Sequence, residues 1–361
     1  MDDTLSQFPL LYPLIAFIGV VLLVLPLRAL AGKVGLTDTP GGRKDHQGEI
    51  PLIGGLAIFV VFILVSVMAG YDFNSAWPLY SAILVLLLTG VVDDYVHLPA
   101  FIKFGMQFVA AGLVVIPGGA ELYDLGNLFG LGAFELGFMS LPFSIVAVVL
   151  LINAINLMDG LDGLAGGTSF VILGWFVVAC FLGGDVVFNP SILILLGALA
   201  GFLVYNMRSP FRSKASVFLG DAGSMSLGLM IGWYAIHLSP AEARIMEPIS
   251  VAWVMALPIW DECAQFNRRV REGRHPFSPD RGHFHHHFIQ AGLTPEKSVS
   301  MILGIILLSG FVGIVGIKIG APLACLTVVW IIGILAHIAF SKDLEKYPAL
   351  ITKLLIKRSS E

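Results

Sequence analysis

Charge is what this sequence has least of. Only 13% of its 361 residues are Asp, Glu, Lys or Arg, while 57% are hydrophobic. A soluble domain carries about 25% charged and about 45–50% apolar residues. No soluble core of this length buries so much apolar surface, which excludes an ordinary globular protein and makes lipid the solvent for most of the chain. Cysteine is scarce as well. Cys180, Cys263 and Cys325 lie in or beside apolar runs, which excludes a disulfide framework and predicts buried thiols. The first residues, MDDTLSQFP, have no basic cluster before the apolar run that follows, unlike a cleaved leader. The first segment is therefore expected to stay in the membrane. Internal repeats, low-complexity tracts and a basic surface for nucleic acid are also missing.

What is present is a series of apolar segments. A hydrocarbon core about 30 Å thick needs roughly 20 apolar helical residues. About eleven segments fit, some of them short or glycine-rich: 8–31, 51–69, 79–92, 101–117, 141–156, 164–183, 190–206, 222–238, 248–263, 298–316 and 320–340. The predicted fold is an all-α integral membrane protein with about eleven transmembrane helices, one polytopic domain over 1–361. With the N-terminus periplasmic and the C-terminus cytoplasmic, the outside loops keep only Arg244 and Lys318, and every other lysine and arginine falls inside, as the positive-inside rule requires.

The polar motifs share that inside face, in loops near 32–50, 93–103, 153–163, 207–224 and 264–297. Asp93-Asp94 closes a helix, with Lys103 starting the next. Two adjacent carboxylates ionise together only at a cost unless a cation offsets them; a solvated helix cap is the plainer reading. Asp159 and Asp162, each followed by glycine, share a face if helical, or form an Asp-Gly turn. Gly220-Asp221-Ala-Gly223-Ser224 sits where a loop enters a helix. The amides of a helix N-terminus suit phosphate there, and Asp221 suits a Mg2+ ion bridging carboxylate and diphosphate. A tight turn is the alternative. Arg281, His283, His285, His286 and His287 follow in the last inside loop. Zinc is one reading, but no cysteine lies near, and the Asp-rich surroundings favour a hard cation held by oxygen. The preferred reading is histidines that donate to phosphate oxygens, partly protonated near neutral pH, with Arg281 gripping phosphate through two hydrogen bonds.

Together these motifs resemble the polyprenyl-phosphate N-acetylhexosamine-1-phosphate transferases, across nearly the whole chain. The signatures are Asp93-Asp94 with Lys103, Asn153/Asn156/Asp159/Asp162, Phe218-Leu-Gly-Asp221-Ala-Gly-Ser, and the histidine loop. Arg268-Arg269-Val-Arg271-Glu-Gly-Arg274-His-Pro-Phe-Ser-Pro-Asp280-Arg281-Gly-His283-Phe-His285-His286 resembles the UDP-N-acetylglucosamine branch (the WecA type). His287 departs from it, giving a three-histidine run like that of the peptidoglycan branch. The resemblance implies a transferase of the bacterial inner membrane that moves N-acetylglucosamine 1-phosphate from UDP-GlcNAc to undecaprenyl phosphate and releases UMP. The same reaction with UDP-MurNAc-pentapeptide is the alternative sugar. It also implies Mg2+, with Mn2+ as a substitute, on Asp221 and Asp94; catalytic roles for Asp93, Asp94 and Asp221; and substrate contacts from Lys103, Asn153, Asn156, Asp159, Asp162, Phe218, Arg281, His283, His285 and His286. Direct attack and an aspartyl-phosphate intermediate both stay open, as do monomer and homodimer. A secondary transporter is the competing class, but it would place ionisable residues at mid-span, where this chain has almost none.

Overall fold

A computed structural model describes residues 10–38, 49–184, 188–209, 212–240, 244–274, 282–343 and 345–353. It is helical almost throughout. The helices are α1 (Leu11–Val34), α2 (Gly54–Met68), α3 (Phe73–Val96), α4 (Ala100–Val115), α5 (Ser140–Leu157), α6 (Leu164–Gly183), α7 (Phe188–Asn206), α8 (Gly220–His237), α9 (Pro248–Val254), α10 (Ala256–Arg271), α11 (Phe284–Gln290), α12 (Pro295–Lys318), α13 (Leu323–Ser341) and α14 (Lys346–Ile351). A two-stranded antiparallel ribbon, β1 (Thr37–Asp38) with β2 (Ile50–Pro51), precedes α2.

Among the described residues, six helical stretches are long and apolar enough to cross a membrane: Leu11–Val34, Phe73–Val96, Gly137–Leu157, Leu164–Gly183, Pro295–Lys318 and Leu323–Ser341. Gly54–Met68, Ala100–Val115 and Pro190–Asn206 are apolar but shorter. The protein is a multi-pass membrane protein. The outer faces of its helices are apolar; on α1, Leu14, Ile18, Leu22 and Leu25 are all exposed. A helix apolar on both its packed and its open face is one solvated by lipid.

The described chain divides into two compact units, 1–123 with 136–245, and 124–135 with 246–361. The first unit is built around α8. Nearly all of α8 is buried, and α2, α3 and α5 pack on it. Its sequence explains this position, because Ala222, Gly223, Ser224, Ser226, Gly228 and Gly232 give it almost no girth. In the second unit the apolar segment 248–263 is not one helix. It breaks at Met255 into α9 and α10, and α10 runs on to Arg271. Pro258 lies in the first turn of α10, where it lacks the amide that would bond to Val254 and its ring crowds that carbonyl. The thiols also differ from expectation: Cys180 is buried, Cys263 partly so, and Cys325 is exposed on the apolar helix α13. A thiol facing lipid is screened from water without being packed.

Candidate active site

In the first unit the polar ends of four helices meet. Asp93 and Asp94 lie in the last turn of α3. The chain then reverses through His97, in the left-handed region at φ 55°. The Leu98 amide donates to Asp93 Oδ1 at 2.7 Å, which fixes the reversal. Pro99 stands just before α4, and Lys103, one turn in, returns toward α3. Its Nζ donates to Asp93 Oδ2 at 2.9 Å and to Asp221 Oδ2 at 3.0 Å. Asp221 sits in the first turn of α8, at the positive end of that helix. From α5, Asn156 Nδ2 donates to Asp221 Oδ1 at 3.1 Å and to Ser224 Oγ at 2.8 Å. The Asp221 amide donates to Asp94 Oδ1 at 3.3 Å.

The entrance to α8 is held by the start of α2. The amides of Gly54 and Gly55, which have no partner inside their own helix, donate to the carbonyls of Phe218 and Leu219 at 2.9 Å each. Gly220 then takes φ 72°, and a Cβ there would lie 2.7 Å from Asp94 Oδ2. Glycine is required here twice over, for its backbone angle and for the space beside Asp94.

Three carboxylates and one ammonium thus share one centre, and negative charge is in excess. Asp94 Oδ2 is buried and makes no hydrogen bond, so it is an oxygen lone pair ready for a cation. Among the described residues, no three His, Cys, Asp or Glu side chains are grouped so as to hold a metal ion by themselves. That donor set fits Mg2+, which is held by one or two carboxylates and completed by substrate phosphates and water. It does not fit a structural zinc site.

The remaining predicted residues divide. Asp159 is exposed on the loop between α5 and α6. Asp162 is not open to a substrate in the same way, because its Oδ2 accepts from Arg208 Nε at 2.8 Å and from the Ala215 amide at 3.1 Å. Asn153 is turned to Gln107 on α4, with Nδ2 donating to Oε1 at 2.7 Å. Phe218 is half-buried, and its backbone is committed to the Pro51 carbonyl and the Gly54 amide. Three residues escape a reading for acidic motifs: Gln107, Arg208 and Asn206. Asn206 Oδ1 accepts from the Gly163 amide at 2.9 Å, and its Nδ2 donates to the Val217 carbonyl at 3.0 Å. It pins the Asp159–Asp162 loop to the approach of α8. Its sequence signal is a lone amide closing an apolar run.

The second unit holds the histidines. Arg281 lies outside the described residues. His283 precedes the first turn of α11, and His285, His286 and His287 follow within it. His283, His285 and His287 are buried; the rings of His283 and His285 stack with centroids 5.9 Å apart, and those of His285 and His286 lie 4.2 Å apart. Neither nitrogen of His285 or of His287 has a hydrogen-bond partner. Partial protonation near neutral pH is wrong for these two. Burial pushes the His285 imidazole down to about 3, helped by the neighbouring His286 and His283, and pushes His287 down to about 4. Arg268 and Arg269 are buried too, and Arg269 Nη2 lies 3.3 Å from His283 Nε2.

The depressed histidines have a consequence for stability. In the unfolded chain both take up a proton near pH 6.5, while in the fold they stay neutral until about pH 3 to 4. The unfolded state therefore binds more protons below pH 6.5, and stability falls as pH is lowered through that window. The melting temperature in detergent should drop between pH 7 and pH 5, and His285→Gln with His287→Gln should flatten the drop. A double variant with the full wild-type decline would refute the assignment.

Residues 76–239 match glycosyl transferase family 4, a stretch that contains every residue of the acidic centre. The chain is 34% identical over 302 residues to the undecaprenyl-phosphate alpha-N-acetylglucosaminyl 1-phosphate transferase of Haemophilus influenzae, spanning 84% of this chain and 85% of that one. Proteins of the same name from Yersinia pestis and Escherichia coli are each 31% identical, over 80% and 79% of this chain and 79% and 78% of their own lengths.

Proposed function

This chain belongs to glycosyl transferase family 4, and we propose that it transfers N-acetylglucosamine 1-phosphate from UDP-GlcNAc to undecaprenyl phosphate, with release of UMP. The observation that carries this reading is the 34% identity over most of both chains, which extends across the acidic centre. We read the topology as about eleven spans in the bacterial inner membrane, with the motif-bearing loops cytoplasmic. The charge distribution supports this, since only Arg244 and Lys318 then fall outside.

In this reaction an oxygen of the lipid phosphate attacks the β-phosphorus of the donor. The new P–O bond forms as the bond to the bridging oxygen breaks, and that oxygen leaves on UMP. The nucleophile is a phosphate monoester with a second pKa of about 6, already mostly a dianion at neutral pH. It needs little help from a base, which lowers the demand on Asp93. What phosphoryl transfer needs is alignment and charge neutralisation. Asp221 and Asp94 are the residues to hold Mg2+, which would neutralise charge on the diphosphate. Lys103, between Asp93 and Asp221, keeps those carboxylates aimed and offers an ammonium to phosphate. Asn156 holds Asp221 from its other oxygen. Asp162 and Asn206 shape the loop that carries Asp159.

The test is UMP release by the purified full-length protein with undecaprenyl phosphate, Mg2+ and either UDP-GlcNAc or UDP-MurNAc-pentapeptide. We expect release with UDP-GlcNAc and at least about 100-fold less with the pentapeptide donor, since a pocket built to hydrogen-bond one substrate rejects a misfit strongly. Silence with both donors sinks the reading, and preference for the pentapeptide overturns the sugar.

A further inference from the structure

Beneath the acidic centre of the first unit lies a second layer of side chains, one helical turn deeper on three of the same helices. On α4, Gln107 follows Lys103 by four residues. On α5, Asn153 precedes Asn156 by three. On α8, Met225 follows Asp221 by four. At those spacings each deeper residue lies on the same side of its helix as the one it accompanies. Gln107 is 3% exposed and Met225 is 1% exposed. Gln107 Nε2 donates to Asn153 Oδ1 at 3.3 Å and lies 3.6 Å from Met225 Sδ. Asn153 Nδ2 donates back to Gln107 Oε1 at 2.7 Å, and to the Val149 carbonyl of its own helix at 2.9 Å.

Each amide of this pair both gives and takes a hydrogen bond. Apolar side chains hold two helices together yet leave them free to rotate by small amounts. A reciprocal amide pair shielded from water does not, because a displacement leaves a buried donor and a buried acceptor unmade. The bond to Val149 ties Asn153 to α5, so the pair fixes the rotation of α5 against α4. That rotation decides where Asn156 points. Asn156 holds Asp221 Oδ1 while Lys103 of α4 holds Oδ2, so the two donors reach opposite oxygens of one carboxylate only while α4 and α5 keep their register.

We infer that Gln107 and Asn153 are positioning residues for phosphoryl transfer: they fix α5 against α4 so that Asn156 meets Asp221 opposite Lys103, and Asn153 acts as support and not as the substrate contact that the resemblance implies. This rests on the reaction read above. Gln107→Met keeps the length of the side chain and removes both bonds. In UMP release by the full-length protein, counted per folded enzyme below its melting temperature, kcat should fall about tenfold while KM for UDP-GlcNAc changes less than threefold. That split marks an interaction expressed in the transition state and not in ground-state binding.

A double-mutant cycle separates positioning from a general loss of packing. In an Asn156→Ala background the residue through which the pair acts is gone, so adding Gln107→Met should cost no more than a further threefold. A kcat within threefold of wild type overturns the inference, and so does a loss that multiplies in full with that of Asn156→Ala. A rise in KM as large as the fall in kcat also overturns it, since that is the mark of a direct substrate contact. Should Gln107→Met not fold, Asn153→Leu carries the same measurements and the same thresholds. A wild type that releases no UMP with either donor fells the reaction reading and this inference with it, whereas wild-type turnover beside an unimpaired Gln107→Met fells this inference alone.

Discussion

Asp221→Ala should leave at most about one part in a thousand of the wild-type rate of UMP release, a loss of about 4 kcal/mol in transition-state stabilisation. The size follows from how many partners the carboxylate serves. It receives Lys103 Nζ and Asn156 Nδ2 on separate oxygens, at 3.0 and 3.1 Å. It occupies the positive end of α8, and it is the carboxylate through which a divalent cation would reach the diphosphate. With Ala there, Lys103 keeps only Asp93 and the centre loses a ligand together with its alignment. The fold should survive, because the side chain is a quarter exposed and α8 is held by packing along its length. Activity within tenfold of wild type, at saturating substrates and Mg2+, would refute the role. An unchanged melting temperature beside the lost rate would show that chemistry, not folding, had failed.

The second large effect needs only one methyl group. A Cβ on Gly90 would sit 2.0 Å from the Ala222 amide nitrogen and 2.2 Å from its Cα, both backbone atoms that no rotamer can move. Gly90 lies one turn before Asp93 and Asp94 on α3, and Ala222 directly follows Asp221. Gly90→Ala must therefore push α3 away from α8 at the point where their carboxylates meet. Overpacking of this kind costs about 1–3 kcal/mol in stability. A misplacement of about 1 Å at a reacting centre costs about 100-fold in rate. The expected variant is helical, melts lower, and turns over about a hundredfold more slowly. Gly105→Ala, on α4 with nothing within 4 Å of its Cβ position, is the control expected to keep its rate. Equal rates for the two variants would remove the argument.

Composition alone made the membrane legible, because lipid is the one solvent that suits a chain so short of charge. The apolar segments are helices, since hydropathy runs and helix runs coincide when backbone groups must be satisfied within a segment. The break at Met255 was less legible: a proline near the end of an apolar run reads as tolerable in the membrane. Asp93, Asp94, Lys103 and Asp221 come together because acidic pairs at helix ends have few explanations other than shared charge. Asn153 and Asp162 have the same residue types but different duties, tied to Gln107 and to Arg208. Which face of α5 an asparagine takes depends on packing against α4, and no spacing rule reports that. Asn206 and Gln107 were invisible for a related reason. Their work is to hold other residues, and the partners lie tens of residues away in the chain.

That separation has a temporal side. Asp94 and Asp221 stand 127 residues apart, and α4 to α7 are made between them. At about 5–20 residues per second, a ribosome needs about 6 to 25 seconds to deliver the second carboxylate after the first. For that interval the acidic end of α3 exists without the amide that Asp221 later offers it. Lys103, only ten residues on, emerges within about 2 seconds at the same pace. On this arithmetic the ammonium is available to Asp93 well before Asn156 or Asp221 has been made.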